Sequence, residues 1–435
     1  MRDILIVSIV ALGALTALRK PWVGIMLWTW LSIMNPHRYA FGFAYDAPLA
    51  AVAAVSTAVG ILLNAREFKS PFKGSPAVVL VIFMAWMTIS WVFGVDPRGD
   101  YPQWNKVMKI DVMIIIALAL LRTKRHIFAL MWVAVGSLAL LGLKGGLFTL
   151  TTGGGLHVFG PPGSFIEDNN EFALALVMTV PLLRFLQMQV ASSAGKHALT
   201  AVMVFCAAAA LGSQSRGALL AIIAMGGFLW WRSKSRLAGG LVIVVSALAL
   251  IAFMPDSWTQ RMETIGDYQD DTSAMGRISA WYNAWNIAFH YPAGVGFNAA
   301  RPELFAKYSP YPDAIHAAHS IYFQVLGNHG FIGLAIFLLL WLLTWRSAGW
   351  LFKHSPKSKE ARWCADLGSM CQVSLLGFAV GGAFLSLSYF DLTYDIMVLV
   401  VATRVWVQSR GWEREPIFEP GWRALPGLAT TSKSA

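Results

Sequence analysis

Residues 77–93 read AVVLVIFMAWMTISWVF, and this stretch decides the class of fold. It contains no charged residue, and apolar and polar side chains do not alternate along it. A helix needs about 20 residues to cross the hydrocarbon layer of a bilayer, whereas a membrane β-strand is an alternating segment of about 10. The stretch therefore predicts a membrane-spanning helix and argues against a barrel.

The rest of the chain repeats this pattern. Of its 435 residues, 57% are hydrophobic and 13% are charged, and the mean hydropathy is +0.57. A water-soluble core cannot bury that much apolar surface, so we expect an all-α polytopic membrane protein. The apolar runs predict about twelve spans, at 4–34, 49–63, 77–93, 107–121, 127–143, 171–186, 198–211, 217–231, 237–254, 321–345, 373–389 and 396–407.

Lysine and arginine predict the orientation of these spans. The net charge of +11 is spread over short clusters between apolar runs, which is not the pattern of a nucleic-acid-binding protein. Short basic loops stay in the cytoplasm, and these are the loops near residues 66–73, 122–125, 232–236 and 346–362. The loops between them then face the periplasm. The side of the N-terminus stays open, because Lys20 and Pro21 interrupt the first run, which crosses either once or twice. We expect that run to be retained, not cleaved as a signal peptide.

The polar segment 255–320 is the longest connection in the chain. It is too rich in aromatic residues for a disordered tail. Ile278, Trp281, Trp285 and Ala288 share one face of a predicted amphipathic interfacial helix. We therefore divide the chain into transmembrane helices 1 to 9 (1–254), a periplasmic loop (255–320), transmembrane helices 10 to 12 (321–408) and a cytoplasmic tail (409–435).

Two arginines are candidates for binding an anion on the periplasmic side. Arg216 lies in the turn GSQSRGALL, beside Ser215, and Arg277 begins the predicted amphipathic helix. Arg216 is either an interfacial residue that extends its charge to the membrane surface or a clamp for phosphate oxygens. Arg277 either pairs with the acidic run at 267–271 or joins Arg216 in binding a pyrophosphate. Arg301, His316 and Ser215 are weaker candidates for the same site.

His319 is the candidate general base, since histidine titrates near neutral pH and accepts a proton from an attacking hydroxyl. The alternatives are a structural histidine, or a metal ligand together with Asp313 and His316 at three-residue spacing. That set lacks a further ligand, and three cysteines are too few for a four-cysteine site, so we predict no metal. No nucleotide-binding glycine motif occurs. Asp168 and Asn170 are weaker candidates, because they precede an apolar run and form a helix cap in the simpler interpretation.

Several of these motifs together resemble the O-antigen ligase family. SQSRGALL resembles its short periplasmic turn with an essential arginine, GRISAW its loop arginine, and HYPAGVGFN its Pro-Gly segment. HSIYFQVLGNHGFIG is similar to its His-Asn-x-x-Leu segment, although Ser320 stands where asparagine is common. The resemblance runs from about Asp168 to the last span. DNNEFA and NPHR also resemble a subgroup of exosortase-associated O-glycosylation ligases.

The resemblance implies an inner-membrane glycosyltransferase of the GT-C type, acting without metal or nucleotide on the periplasmic face. Its donor would be an undecaprenyl-pyrophosphate-linked glycan and its acceptor a lipid A-core sugar. Arg216 and Arg277 would hold the donor pyrophosphate, and His319 would deprotonate the acceptor hydroxyl in an inverting transfer. We expect a monomer surrounded by membrane lipid. A glycan polymerase, a protein O-glycosylation ligase and a lipid-linked-glycan transporter remain as alternatives.

Overall fold

The computed structural model describes residues 1–232, 237 and 272–415, and these residues contain helices and no strands. The predicted span 237–254 (apart from residue 237), the first part of the predicted loop up to residue 271 with its acidic run, and the tail after residue 415 lie outside the described residues. The helices are α1 (Arg2–Arg19), α2 (Pro21–Met34), α3 (Leu49–Leu63), α4 (Ser75–Val92), α5 (Pro97–Leu120), α6 (Lys124–Thr151), α7 (Asn169–Gln189), α8 (Ser193–Gly212), α9 (Arg216–Arg232), α10 (Thr272–His290), α11 (Pro302–Tyr308), α12 (Ile321–His354), α13 (Arg362–Gly381), α14 (Asp391–Gln408) and α15 (Gly411–Arg414).

Six of the described helices are long and apolar enough to cross a membrane. They are α4, α6, α7, α8, α12 and α13, the last together with the 3-10 turn that follows it. Two shorter apolar helices, α2 and α3, accompany them. The prediction of an all-helical membrane protein with several spans is thereby confirmed, and the count of about twelve stays a prediction.

The interrupted first run forms two helices that pack side by side. The backbone leaves helical geometry at Lys20 (φ −134°, ψ 84°), and Pro21 begins α2, a position where its missing N–H costs nothing. Helix α3 packs closely against both. At Gly60 an added Cβ would lie 2.2 Å from the carbonyl oxygen of Ala17, so this crossing requires glycine.

The predicted span 373–389 extends too far. Helix α13 ends at Gly381, and a 3-10 turn, Gly382–Phe384, leads into non-helical chain up to Phe390. Leu387 and Tyr389 in that chain are at most 2% exposed, so their apolar character reflects burial within the protein and not contact with lipid. Hydropathy alone does not distinguish these two environments.

Helix α12 is broken at Gly330, whose φ of 68° and ψ of −174° are not helical. Residues 291–297 lie against the break, and the N–H of Val295 donates to the carbonyl oxygen of Asn328 at 2.9 Å. The carbonyl oxygen of His329 accepts from the indole of Trp86 at 2.8 Å. Backbone groups that the break frees are therefore satisfied by neighbouring segments, as membrane helices require.

Basic loops collect at one end of the bundle. Arg122 donates to the carbonyl oxygen of Ser70 (2.6 Å), and Lys20, Lys69 and Arg125 line the same surface pocket. At the opposite ends of α4 and α5, the N–H of Val95 bonds the carbonyl oxygen of Val295 (3.0 Å). The segment 291–301 and the beginning of α12 therefore lie away from the basic end.

Helix α10 includes the segment that the sequence predicts to be an amphipathic helix. Its exposed face is aromatic, with Tyr282 at 53%, Trp285 at 47% and Phe289 at 63% exposure. Ile287 is buried against Val295, Leu304 and Tyr308, and Ala288 is buried as well. Ala288 follows Trp285 by three residues on this helix but is buried, so exposure changes along the predicted face.

Candidate functional site

His319 lies immediately before α12, where the chain enters the bundle. Its backbone φ is +41°, a left-handed conformation that histidine adopts more readily than most residues, and Ser320 caps the helix behind it. The side chain is 36% exposed, and Nδ1 lies 3.9 Å from Oε1 of Glu171. That distance is too long for a hydrogen bond, and an ion pair would form only when the imidazole is protonated.

The surroundings of His319 favour the neutral imidazole. Burial lowers the pKa of His319, the charge of Arg277 lowers it further, Asp168 opposes this, and His316 adds to the lowering. The balance keeps the pKa below its ordinary value. The ring is therefore neutral near pH 7 and able to accept a proton.

The beginning of α7 supplies the acidic side of the site. Asp168 caps this helix, accepting hydrogen bonds from the backbone N–H of Asn170 at 2.9 Å and from its side-chain amide at 3.0 Å. Burial favours a higher pKa for Asp168, but hydrogen bonds from Asn170 and Glu171 outweigh it, and the pKa lies below its usual value. Asp168 is therefore ionised, and the helix N-terminus adds to this stabilisation. Glu171, one turn along, is buried and accepts from the N–H of Ser386 at 3.4 Å.

Arg277 and His316 complete the group around His319. Arg277 is half-buried in the second turn of α10, close enough for its charge to affect His319. His316 is exposed, and its ring packs over Gly276, where an added Cβ would lie 2.3 Å from Cδ2. We call these five residues, Asp168, Glu171, Arg277, His316 and His319, the histidine cluster.

Arg216 begins α9, after a tight turn tied to the beginning of α7. The side-chain amide of Asn169 donates to the carbonyl oxygen of Ser213 at 2.7 Å, and Gln214 in the turn has a φ of +57°. Ser215 Oγ accepts from the N–H of Ala218 at 3.3 Å and so caps α9. The turn therefore places Arg216 beside the helix that carries Asp168 and Glu171.

Arg301 lies in a different arrangement. It donates to Asp96 at 3.1 Å and to Asp100 at 2.6 Å, and the other oxygen of Asp100 accepts from the N–H of Phe297 at 2.8 Å. A hydrogen bond from the backbone N–H of Gly99, aided by Arg301, lowers the pKa of Asp96. This network joins the segment before α11 to the beginning of α5.

Glu171 is the residue that sequence analysis missed. It was taken only as the first residue of an apolar run, yet its side chain is the buried carboxyl nearest to His319. An ionisable residue inside a predicted span was the available signal, because such residues are costly in a membrane. Its proximity to a residue 148 positions later could not be read from the chain.

The site offers anion binding and proton transfer more readily than metal binding. Within residues 1–232 and 272–415, no group of three or more histidine, cysteine or acidic residues is arranged to hold a metal ion. Arg216 and Arg277 are permanently charged donors suited to phosphate oxygens. A neutral imidazole close to an arginine and a carboxylate suits abstraction of a proton from a hydroxyl.

Comparison with known families divides the chain in two. Residues 201–338 match the model of the O-antigen ligase family, and residues 1–191 match a family of unknown function (DUF5935). No curated protein matches the chain. The first match is narrower than the resemblance drawn from motifs, which began near Asp168 and continued to the last span.

The histidine cluster draws on both matched regions. His319, His316 and Arg277 lie within 201–338, as does Arg216, whereas Asp168 and Glu171 lie within 1–191. The family match implies glycan transfer of the ligase or polymerase kind by a multi-pass membrane protein. Residues 201–338 of this chain are therefore similar to the O-antigen ligase family.

Proposed function

We propose that this protein is an O-antigen ligase that transfers a polysaccharide from undecaprenyl pyrophosphate to a sugar hydroxyl of lipid A-core. The observation that carries the proposal is the grouping of His319, whose pKa is lowered, with Arg277 and with the carboxyl groups of Asp168 and Glu171. This arrangement supplies a base for the acceptor and a cation for the leaving group. Neither a nucleotide nor a metal is needed for these two tasks.

In the proposed reaction, Nδ1 of His319 faces Glu171 and Nε2 takes the proton of the acceptor hydroxyl. The acceptor oxygen then forms a bond to the anomeric carbon of the donor, while the bond from that carbon to the pyrophosphate oxygen breaks. The electron pair stays on the leaving pyrophosphate, and displacement from the opposite face inverts the anomeric centre. The negative charge of Asp168 stabilises the imidazolium that forms.

Arg216 and Arg277 are assigned to the donor pyrophosphate. Charge grows on the leaving group as the glycosidic bond breaks, so cations aimed at it stabilise the transition state more than the ground state. The N-terminus of α9, which begins at Arg216, adds a partial positive charge. The tie between Asn169 and Ser213 supports a common location for Arg216 and the beginning of α7.

We assign the protein to the bacterial inner membrane as a monomer of the GT-C type, with about twelve spans and the site on the periplasmic face. The separation between the basic end, around Lys69 and Arg122, and the end that holds His319 supports this orientation. Short basic loops remain on the cytoplasmic side. The histidine cluster then faces the side on which the donor glycan is presented.

Purified protein in detergent, supplied with an undecaprenyl-pyrophosphate glycan and lipid A-core, tests the proposal. We expect a covalent product whose new glycosidic bond has inverted configuration, formed equally well in the presence of EDTA. A transporter forms no product, a polymerase lengthens the donor glycan instead, and a protein ligase leaves lipid A-core unmodified. Any of these three outcomes, or loss of transfer with EDTA, contradicts the proposal.

A further inference from the structure

A pocket of about 130 Å³ lies beside the histidine cluster, between α10, α12 and the segment 297–300. Residues 316–318, which lead directly into His319, line one side of it. Ser386 lines another side, and its backbone N–H donates to Oε1 of Glu171, the oxygen that lies 3.9 Å from His319. The pocket therefore shares two walls with the cluster, although Arg277 and His319 are not among its lining residues.

Two polar atoms in the lining find no hydrogen-bond partner among the described residues. Asn283 is 1% exposed, and its amide donates to the carbonyl oxygen of Ala299 at 2.9 Å, which leaves Oδ1 unpaired. Oγ of Ser386 is also buried and unpaired. Buried polar atoms in native proteins almost always have a partner, so an unpaired amide oxygen and an unpaired hydroxyl in two of the residues that line the pocket point to a polar ligand.

The chemistry of the lining indicates which ligand fits. None of its residues is aspartate, glutamate, lysine or arginine, so a pyrophosphate finds no permanent cation there. Amide groups stand beside aromatic rings, among them Phe297 and Phe323, and this mixture suits a ring with polar hydroxyls and apolar C–H faces. Drug-sized ligands occupy pockets of about 300 to 1,000 Å³, so this pocket has room for about one sugar ring and not for an extended glycan.

We propose that this pocket binds one uncharged pyranose ring of the acceptor, with hydroxyls of the ring bonded to Asn283 Oδ1 and Ser386 Oγ. The assignment rests on the proposed transfer reaction, in which Arg216 and Arg277 bind the donor pyrophosphate. The acceptor then occupies the pocket beside His319 whose lining contains no aspartate, glutamate, lysine or arginine. Residues Asn283 and Ser386 thereby determine which acceptor sugar is presented to the base.

Substitution of Ser386 tests this binding mode. Ser386→Ala removes a hydroxyl with no partner in the described chain and keeps the backbone N–H that bonds Glu171. We expect the KM for lipid A-core to rise about threefold to tenfold, the loss of one neutral hydrogen bond, with the KM for the donor and kcat unchanged. Ser193→Ala, at the far end of α8 from the Arg216 turn, is the matched control. An unchanged acceptor KM, or a higher donor KM, overturns the proposal.

Thiol labelling measures occupancy of the pocket without any transfer. Ala317 is exposed in the pocket wall, and the cysteines at 206, 364 and 371 are buried, so maleimide modifies an Ala317→Cys variant selectively. We expect core oligosaccharide freed of its lipid to slow the labelling at least about threefold, and undecaprenyl pyrophosphate alone to leave the rate unchanged.

The two failures are distinguishable. Wild-type protein that forms no glycosidic product contradicts the proposed function. Wild-type protein that transfers glycan, combined with labelling that the oligosaccharide does not slow or that undecaprenyl pyrophosphate does slow, overturns the acceptor pocket alone.

Discussion

Two groups of ionisable residues lie at the same end of the molecule and differ in the distances between the side chains that face one another. In the first, Arg301 is 14% exposed and contacts Asp96 at 3.1 Å and Asp100 at 2.6 Å. In the second, His319 is 36% exposed and lies 3.9 Å from Glu171. The arginine network is closed by short hydrogen bonds, whereas His319 and Glu171 lie beyond hydrogen-bond distance of one another.

This difference separates a structural use of charge from a chemical one. A closed network fixes two segments relative to one another, and its members gain nothing by changing their protonation. A base must change its protonation during each turnover, so its partners have to stabilise the imidazolium without preventing its discharge. The comparison therefore supports the proposal that His319 is the base and favours a structural role for Arg301.

Removing the base has the largest expected effect. We expect His319→Ala to lower the rate of transfer by about 10² to 10⁴-fold, the usual contribution of a positioned general base, while the protein still inserts and binds the donor. Alanine is disfavoured at the φ of +41° found here, so His319→Asn, which tolerates this conformation better and lacks a basic nitrogen, is the second variant. Transfer assays on detergent-purified protein measure both. Full activity in either variant removes His319 as the base.

The next effect concerns the anion clamp. Arg216→Lys keeps the charge but replaces a planar bidentate donor by a point charge, so we expect transfer to fall by at least about tenfold. Binding of radiolabelled donor to the purified variant shows whether weaker donor binding causes the loss, and we expect the affinity for the donor to fall as well. The unfolding temperature of the variant serves as the control, since the turn itself is held by Asn169 and Ser215. Donor affinity equal to that of the wild type contradicts the clamp.

For Arg301, which is paired with Asp96 and Asp100, we expect a substitution to lower stability and to leave the rate of transfer nearly unchanged. Arg301→Met leaves the largely buried Asp100 without its cation, which destabilises the fold by about 3 kcal/mol or more. We expect a lower unfolding temperature in detergent, with transfer per folded molecule within about twofold of the wild type. Loss of transfer at unchanged stability places Arg301 in contact with the substrate and breaks the comparison.

Much of the membrane architecture could be predicted from apolar runs. The stretch 77–93 corresponds to α4 (Ser75–Val92), because the length of a span is set by the bilayer and is visible in the sequence. The break at Gly330 and the buried chain around Leu387 could not be predicted, since both depend on which distant segments pack there. Hydropathy reports that a residue avoids water, and it does not report whether lipid or protein replaces the water.

The sequence indicated which residues could take part in the site, but it did not indicate which of them lie close together. Arginine and histidine at the ends of spans were visible as candidates, but the proximity of Arg277 to His319 results from how α10 and α12 pack. The buried carboxyl of Glu171 was hidden inside an apolar run. These contacts join residues far apart in the chain, for which a single sequence carries no spacing rule.

The smallest expected effect is a shift in the pH dependence of kcat/KM, which reports the charges around His319. Because the pKa of His319 lies below 6.5, the base stays neutral above that pH, and kcat/KM falls only as the pH drops through the lowered pKa. The charge of Asp168 raises this pKa, so Asp168→Asn, which keeps the helix cap, shifts the acidic limb to still lower pH. Arg277→Gln removes a charge that lowers the pKa of His319 and shifts the acidic limb of the profile to higher pH.

Profiles of kcat/KM between pH 4 and 8 measure both shifts. Asp96→Asn, in the network around Arg301, is the control that leaves the acidic limb in place. Shifts of the same sign in the Asp168 and Arg277 variants would contradict the electrostatic arrangement of the histidine cluster, because the two side chains carry opposite charges.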